Sequence, residues 1–496
     1  MIQYFKVTTL SPIFIGSGIS LTPGADYVHF PERKIVAILE PEILFKKFDL
    51  DERFIEQWSN ALMNLESRQE KAITLRNLLK QKKSNFKPED ISETIIPTEE
   101  IRLDEEIKKH LRSGNGLLMI PGSSIKGAIR TAFFSESLIS IYNSTGGLNL
   151  NSFNILKNNN KPKYSDRNFN KKIFKNNNDY ATHDFFRFLL ISDGYAERSI
   201  IVKTLSVEVK DDNLSKRDDL RTFLECIPEE TEFYIQMKWN ENLFERNKVE
   251  NNIDRNKNEE LLSLLNISKD RTKKLFEKDK ELFFDKTDHY NQESIEKIEE
   301  SFYDKNSFVL RISGQTGYLN MTGGWQEDLL SISDQEELAL YVRRITDRNT
   351  NNNSLPFPKS RRITADGKPL GYIKLTPIEK SEYYHALDHQ LKKAFEKKEI
   401  ITIPQDETQP RNEPEKPSLN PFFTGNEIKL NTELIAECIS SPIGRKSRVK
   451  VFLKEPNTVE ADMNGYASAV LGKLYKVKVT RMQYGKVTEV SFVREV

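Results

Sequence analysis

Pro121-Gly122-Ser123-Ser124-Ile125-Lys126-Gly127-Ala128-Ile129-Arg130 follows the apolar run Gly116-Leu117-Leu118-Met119-Ile120, and the change of pattern predicts a strand that turns through glycine into a helix. The helix is expected to run to about Tyr142, with Ser123 or Ser124 as its cap. At 100° per residue, Ile125, Ala128, Ile129 and Ala132 share a buried face, while Lys126 and Arg130 project together on its flank. The free N–H groups of such a helix start attract anions. Gly122, Ser123, Ser124, Lys126 and Arg130 are therefore candidate contacts to a phosphate backbone. The stretch is not a Walker A loop, because no Gly-Lys-Ser/Thr follows a correctly spaced glycine. An ordinary capped helix with two exposed bases is the plainer alternative.

Upstream, residues 2–10 read as a strand that stops at Ser11-Pro12, and Ile13-Phe14-Ile15 leads into Gly16-Ser17-Gly18. Residues 27–30 and 35–39 read as a hairpin, and Pro41 stands where a helix would begin. Phe54, Ile55, Trp58, Leu62 and Leu65 are then spaced for one helical face, which marks a helical insertion over about residues 41–113. Downstream, residues 157–178 hold seven bases against one acid among many asparagines and read as a basic loop. Residues 185–192 and 200–209 look like strands, and residues 225–235 like a strand, turn and strand. Residues 241–305 are highly charged with a helical apolar period, a second insertion.

The strand at residues 309–312 enters a glycine-rich loop, Gly314-Gln315-Thr316-Gly317 through Gly323-Gly324-Trp325. Glycines let a backbone approach a ligand closely and expose consecutive N–H groups, and Tyr318 and Trp325 offer rings for base stacking. Gly314, Gly317, Gly323, Gly324 and Trp325 are candidate RNA contacts, with a hairpin tip as the alternative. Pro356-Phe357-Pro358-Lys359-Ser360-Arg361-Arg362 adds Lys359, Arg361 and Arg362 beside an aromatic, an arrangement found in single-strand RNA binders and in surface strands alike.

A length of 496 residues implies two to four domains. Lys plus Arg number 75 against 74 Asp plus Glu, so no strong overall field draws polyanions and RNA binding has to come from local patches. The two cysteines, Cys226 and Cys438, encode neither a disulfide framework nor a zinc site. No stretch nears the roughly 18 apolar residues of a membrane span, and the N-terminus lacks a basic n-region. A cytoplasmic location, without metal or cofactor, is expected. Five prolines among mixed charges between residues 396 and 421 predict an extended linker. Alternation resumes at 475–479 and 487–493, which predicts a small β domain over 425–496. Arg445, Lys446, Arg448 and Lys450 make it locally basic, compatible with an OB-like RNA-binding role or with protein docking.

Catalytic signals are poor. His385 and His389 are spaced for a zinc helix, but Ala386 stands where the glutamate is needed. His183-Asp184 lacks further metal ligands, and His29 is a lone histidine at a strand end.

Leu10-Ser11-Pro12-Ile13-Phe14-Ile15-Gly16-Ser17-Gly18, residues 120–132 and the glycine-rich loop together resemble the signatures of the RAMP superfamily of CRISPR proteins. Residues 355–362, followed by Pro369-Leu370-Gly371-Tyr372-Ile373-Lys374-Leu375, resemble the fifth Csm subunit of type III-A effector complexes. The resemblance covers about residues 1–378. It implies an α+β fold with two ferredoxin-like, RRM-like domains, here 1–199 and 200–378, the second carrying the insertion at about 241–305. A helix and linker over 379–424 and the β domain over 425–496 would follow. The implied role is a non-catalytic subunit that caps the complex near the 3′ part of the guide RNA and aids guide maturation and antiviral defence. Its implied partners are guide (crRNA) and target RNA, the repeated backbone RAMP subunit, other Csm subunits and host ribonucleases. Target sequence would be read by guide pairing. Two rival readings are a metal-independent RAMP endoribonuclease with His29 or His183 as general base, and a protein-only scaffold.

Overall fold

Alternation along Ile2–Thr9 sends Phe5 and Val7 inward, and in the computed structural model this strand, β1, is the centre of a five-stranded sheet. The structure describes the chain except residues 1, 101–102, 104, 148–153, 159–160, 166, 176–180, 211–212, 241–256, 321–323, 331–359, 400–427, 429, 431, 440–445, 454–457, 465–473, 484–485 and 496. The chain divides into two compact units, Met1–Thr402 and Ile403–Val496.

In the first unit β1 is followed by β2 (Gly16–Leu21), the hairpin β3 (Tyr27–Phe30) and β4 (Ile35–Ile38), and helices α1 (Pro41–Lys47), α2 (Glu52–Asn64) and α3 (Arg68–Lys82). Short strands β5 (Ile95–Pro97), β6 (Ile107–His110) and β7 (Leu118–Ile120) lead to α4 (Gly122–Thr145). Then come β8 (Asn154–Asn158), β9 (Lys161–Ser165), α5 (Arg167–Lys175), β10 (Leu189–Ile191) and β11 (Gly194–Ala196). The long pair β12 (Ile200–Lys210) and β13 (Asn213–Cys226) precedes β14 (Glu232–Trp239), α6 (Lys257–Leu282), α7 (Gln292–Tyr303), β15 (Phe308–Arg311) and α8 (Trp325–Leu330). β16 (Ser360–Thr364), β17 (Tyr372–Ile378) and α9 (Lys380–Glu399) complete the unit.

Two sheets organise it, in the orders β10-β14-β1-β17-β15 and β16-β12-β13-β6-β2. Each takes strands from both sides of residue 199, because β14 returns to β1 (Phe5↔Ile235) and β13 pairs in parallel with β6 (Phe223↔Ile107). The expected division into 1–199 and 200–378 is therefore not the division made by strand pairing. Local pattern places strands but does not choose their distant neighbours. The α+β class itself is as expected. Helix α4 lays Ile125, Ile129, Phe134 and Leu138 on Phe5, Val7, Ile235 and Met237. Residues 157–178, expected as a loop, instead contain the β8–β9 pairing and α5, whose Phe169 and Phe174 enter the same core.

The α-helices of the first insertion end at Lys82, short of the expected 113: residues 95–97 and 107–110 are strands, and β6 joins a main sheet because its distant pairing with β13 is invisible to local pattern. In this insertion α2 is capped by Asp51, which accepts the Phe54 N–H at 2.8 Å, and Phe54, Leu75 and Leu79 pack under Val28 and Ala37. In the second insertion, Phe276, Ile298 and Phe302 cover Val309 and Tyr372 on the sheets.

The second unit is a closed barrel of β18 (Glu433–Cys438), β19 (Lys446–Phe452), β20 (Thr458–Asn464), β21 (Leu474–Gln483) and β22 (Lys486–Glu495), in the order β18-β19-β20-β22-β21. β20 and β22 run parallel. Leu434, Ala436, Val449, Val451, Met463, Tyr475, Val477, Val479 and Val490 fill it. On its outside, acids on neighbouring strands face the bases: Arg448 lies 3.4 Å from Glu460, Lys476 2.6 Å from Glu433 and Arg481 3.1 Å from Glu489. Of the four bases that make the sequence locally basic, Arg448 thus faces a cross-strand carboxylate. Because this core is closed on itself, residues 425–496 expressed alone are expected to unfold in one cooperative urea transition, followed by circular dichroism. A fragment without a transition would show that the barrel depends on the rest of the chain. Residues 400–421 of the expected linker lie outside the described residues. No described helix is long and apolar enough to cross a membrane.

Candidate nucleic-acid interface

The end of β15 delivers the chain into Ile312, Ser313 and the Gly314-to-Tyr318 loop, which forms one wall of a cleft of about 680 Å³. Ile15 and Gly16 line it from the start of β2, Ser124 from the first turn of α4, Lys108 from β6, Thr222 from β13 and Arg362 from β16. Four motif segments spread over more than 300 residues of sequence therefore meet in one place. Two cations and no carboxylate are among the lining residues.

The loop's shape depends on its backbone. Gly317 has φ +88°, a region that side chains rarely adopt, and Gln315 beside it has φ +64°. Ser313 donates to the Phe14 carbonyl at 3.1 Å and accepts the Phe14 N–H at 2.8 Å, which staples the loop to the strand before β2. The N–H groups of Gln315, Thr316 and Gly317 find no intramolecular partner among the described residues. Successive free N–H groups beside a left-handed residue make an anion-binding concavity. Across the cleft, Arg362 donates to the Leu220 carbonyl at 2.6 Å and to Thr222 Oγ1 at 3.3 Å, contacts that hold its guanidinium at the lining.

Gly314, Gly317, Ser124 and Arg362, all candidates from the sequence, thus line one cleft, and the other candidates do not join them. Lys126 is half-buried and donates to the Leu189 carbonyl at 2.8 Å, with burial lowering its pKa. Arg130 forms a two-point pair with Asp184 at 2.8 and 2.9 Å, and its guanidinium lies 3.6 Å from the Phe174 ring centre. Both cationic heads are committed inside the protein, so their shared helical flank is a packing face. The α4 start is also filled: the Gly122 N–H donates to Asp193 Oδ1 at 2.8 Å, and a Cβ there would lie 2.1 Å from the Ile191 oxygen. Neither serine caps the helix; Pro121 holds the N-cap position. Ser123 is exposed outside the cleft lining. Arg361 is buried on Asp279 at 2.7 Å, because alternation along β16 sends it away from Arg362. Trp325 is 2% exposed and packs edge-on against Phe134, so it offers no ring face for stacking. Gly324 abuts the Leu319 carbonyl. Gly323 and Lys359 lie outside the described residues.

Lys108 and Thr222 belong to the cleft without a motif to announce them. Their sole signal is register: β6 is brought in by pairing Leu224 with Lys108 and Ser20 with Lys108. Below the cleft, His110 is fully buried; its Nδ1 accepts the Ile15 N–H at 3.3 Å, which leaves Nε2 to donate to the Met119 carbonyl at 3.2 Å. Burial pulls its pKa down to about 4. The neighbouring Glu225 is buried, accepts the His110 N–H at 3.1 Å and pairs with Arg112. His29 Nε2 lies 3.0 Å from the Glu100 carbonyl oxygen. Among the described residues no three His, Cys, Asp or Glu side chains gather as metal ligands.

A family model for the RAMP superfamily matches residues 6–326. Among solved structures, a chain from a cryo-EM Csm–crRNA–target RNA ternary complex of a type III-A CRISPR-Cas system is similar, with a TM-score of 0.54 and 18% identity, covering 76% of this chain and 100% of that one. Csm5 of T. onnurineus, a crystal structure, has a TM-score of 0.48 and 16% identity over 74% of this chain and 99% of that one. No curated protein matches the chain.

Proposed function

Because the chain belongs to the RAMP superfamily, we propose that it is a non-catalytic, RNA-binding subunit of a type III-A CRISPR-Cas (Csm) effector complex that caps the assembly near the 3′ part of the guide RNA. Guide and target RNA, the repeated backbone subunit and other Csm subunits are its partners in this reading, which takes the two interleaved sheets as the counterparts of two ferredoxin-like domains. The observation that carries the reading is the cleft, where the free N–H groups of residues 315–317 meet Lys108 and Arg362 without an acid in the lining. Backbone N–H groups and two cations suit phosphate oxygens, which position RNA without reading its sequence. Sequence selection then falls to guide pairing.

Binding of labelled single-stranded guide RNA across a salt series tests this. Lys108→Gln with Arg362→Gln should weaken binding and lower the slope of log affinity against log salt by about 0.7 per lost phosphate contact. Lys126→Gln with Arg130→Gln should leave that slope unchanged in protein that remains folded by circular dichroism. The same RNA should stay intact with and without Mg²⁺. An unchanged slope in the first double variant would remove the cleft from RNA binding, and cleavage abolished by His29→Ala or His183→Ala would favour an endoribonuclease.

A further inference from the structure

The glycine-rich loop is tied at both ends to one helix, α6, which the sequence presents merely as part of a charged insertion. Arg271 on α6 donates through Nη2 to the Leu319 carbonyl at 3.0 Å, just after the loop, and through Nε to Asp328 Oδ2 at 2.9 Å. Asp328 also accepts from Ser135 of α4 at 2.5 Å, so the same contact fixes the helix that supplies Ser124 to the cleft. Two turns further along α6, Asp279 holds Arg311, the last residue of β15 before the loop, at 3.2 Å. Its other oxygen takes Arg361 at 2.7 Å, and Arg361 immediately precedes Arg362 on the opposite bank. The Arg271, Asp328, Asp279, Arg311 and Arg361 side chains are all between 2% and 11% exposed, so no solvent competes for these bonds.

We propose that Arg271 and Asp279 are positioning residues that make α6 a clamp, holding the loop at Arg311 and Leu319 and aiming Arg362 across the cleft. Eight residues of helix separate the two clamping side chains by about 12 Å, so one rigid element sets the cleft width. Within the loop Thr316 Oγ1 donates to the Ser313 carbonyl at 2.9 Å and Asn320 Nδ2 to the Thr316 carbonyl at 3.2 Å, but the N–H groups of residues 315–317 take no part in these bonds, so their place in the cleft depends on what grips the loop's ends. Buried two-acceptor contacts from an arginine fork add that grip to the Ser313–Phe14 staple. This inference rests on the RNA reading of the cleft for its functional consequence, although the clamp itself is a statement about the free protein.

Two measurements on the full chain separate the parts: amide hydrogen exchange of residues 314–318 without RNA, and affinity for labelled single-stranded RNA. Arg271→Lys keeps a charge beside Asp328 but loses the fork that reaches Leu319. It should leave the unfolding midpoint near that of the parent while speeding exchange at 314–318 and weakening RNA binding by about tenfold, the loss expected for a contact of this kind. Arg271→Gln with Asp328→Asn, which removes both buried charges, should loosen the same amides if the lysine variant folds poorly. Loop exchange unchanged in either folded variant would overturn the clamp. Faster loop exchange with undiminished RNA affinity would overturn the positioning role. Failure of the parent protein to bind RNA would overturn the functional reading, while exchange at 314–318 would still decide the clamp.

Discussion

Asp279→Asn is expected to lower the stability of the first unit by about 3–5 kcal/mol, the cost of breaking a buried ion pair and leaving its partners uncompensated. The carboxylate is 2% exposed and is shared by two arginines that are themselves nearly sealed, Arg311 at 4% and Arg361 at 5%. Arg311 also donates to the Leu370 carbonyl at 2.9 Å and lies 4.7 Å from the Tyr372 ring centre, and Arg361 lies 4.6 Å from that of Phe283. Neither guanidinium has a route to water when the carboxylate is neutralised. Urea unfolding of the full chain measures the loss, with the barrel's own transition as an internal reference. The replacement of all three charges, Asp279→Leu with Arg311→Met and Arg361→Met, should recover much of the stability, since a well-packed apolar set dispenses with desolvation altogether. A shift below about 1 kcal/mol for Asp279→Asn would mean that the arginines reach solvent or another anion.

Acid should destabilise the first unit through His110. Its folded-state pKa, about 4, lies below the ordinary histidine value of 6.5, because burial penalises the cation. The unfolded chain therefore binds the extra proton first. The contribution is fully present above pH 6.5 and is lost as pH falls from 6.5 toward 4, by about 2 kcal/mol at pH 5 and about 3 kcal/mol in full. Protonation would also place a hydrogen on Nδ1, where the Ile15 N–H donates, and so push apart the strand that lines the cleft. His110→Asn keeps an acceptor for Ile15 and does not titrate. Comparing urea midpoints at pH 7 and pH 5 in both proteins isolates the histidine, and an equal pH dependence in the two would show that His110 is not the group responsible.

The candidate site was partly legible in the sequence. Gly317 stands out because glycine is the residue that a φ of +88° requires, Gly314 because it lies in the same glycine-rich run, and Ser124 because a strand-to-helix change of period is local. Arg362 is legible only together with Arg361, since a run of bases does not say which member alternation turns inward. Trp325 departs from its candidate role for a related reason: an aromatic beside a glycine loop serves equally as a stacking ring or as a core residue, and packing against Phe134 makes it the latter.

By itself the sequence determined the elements and the kinship: the strand of Ile2–Thr9, the helix beginning at Gly122, the helical insertions and the alternation of the C-terminal strands follow from periods of 2 and 3.6 residues. Only the tertiary structure decided how the elements pair and which cations remain available. Lys126 and Arg130 lie four apart on one helical flank whatever the fold, but whether that flank meets RNA or Asp184 and Phe174 depends on α5 and the segment before β10 closing over it. Lys108 enters the cleft because β6 pairs with β13, a contact across more than 100 residues. Periodicity is a property of neighbouring residues, whereas desolvation and ion pairing are properties of whatever the distant chain brings alongside, and those two effects decide which charges stay free to bind.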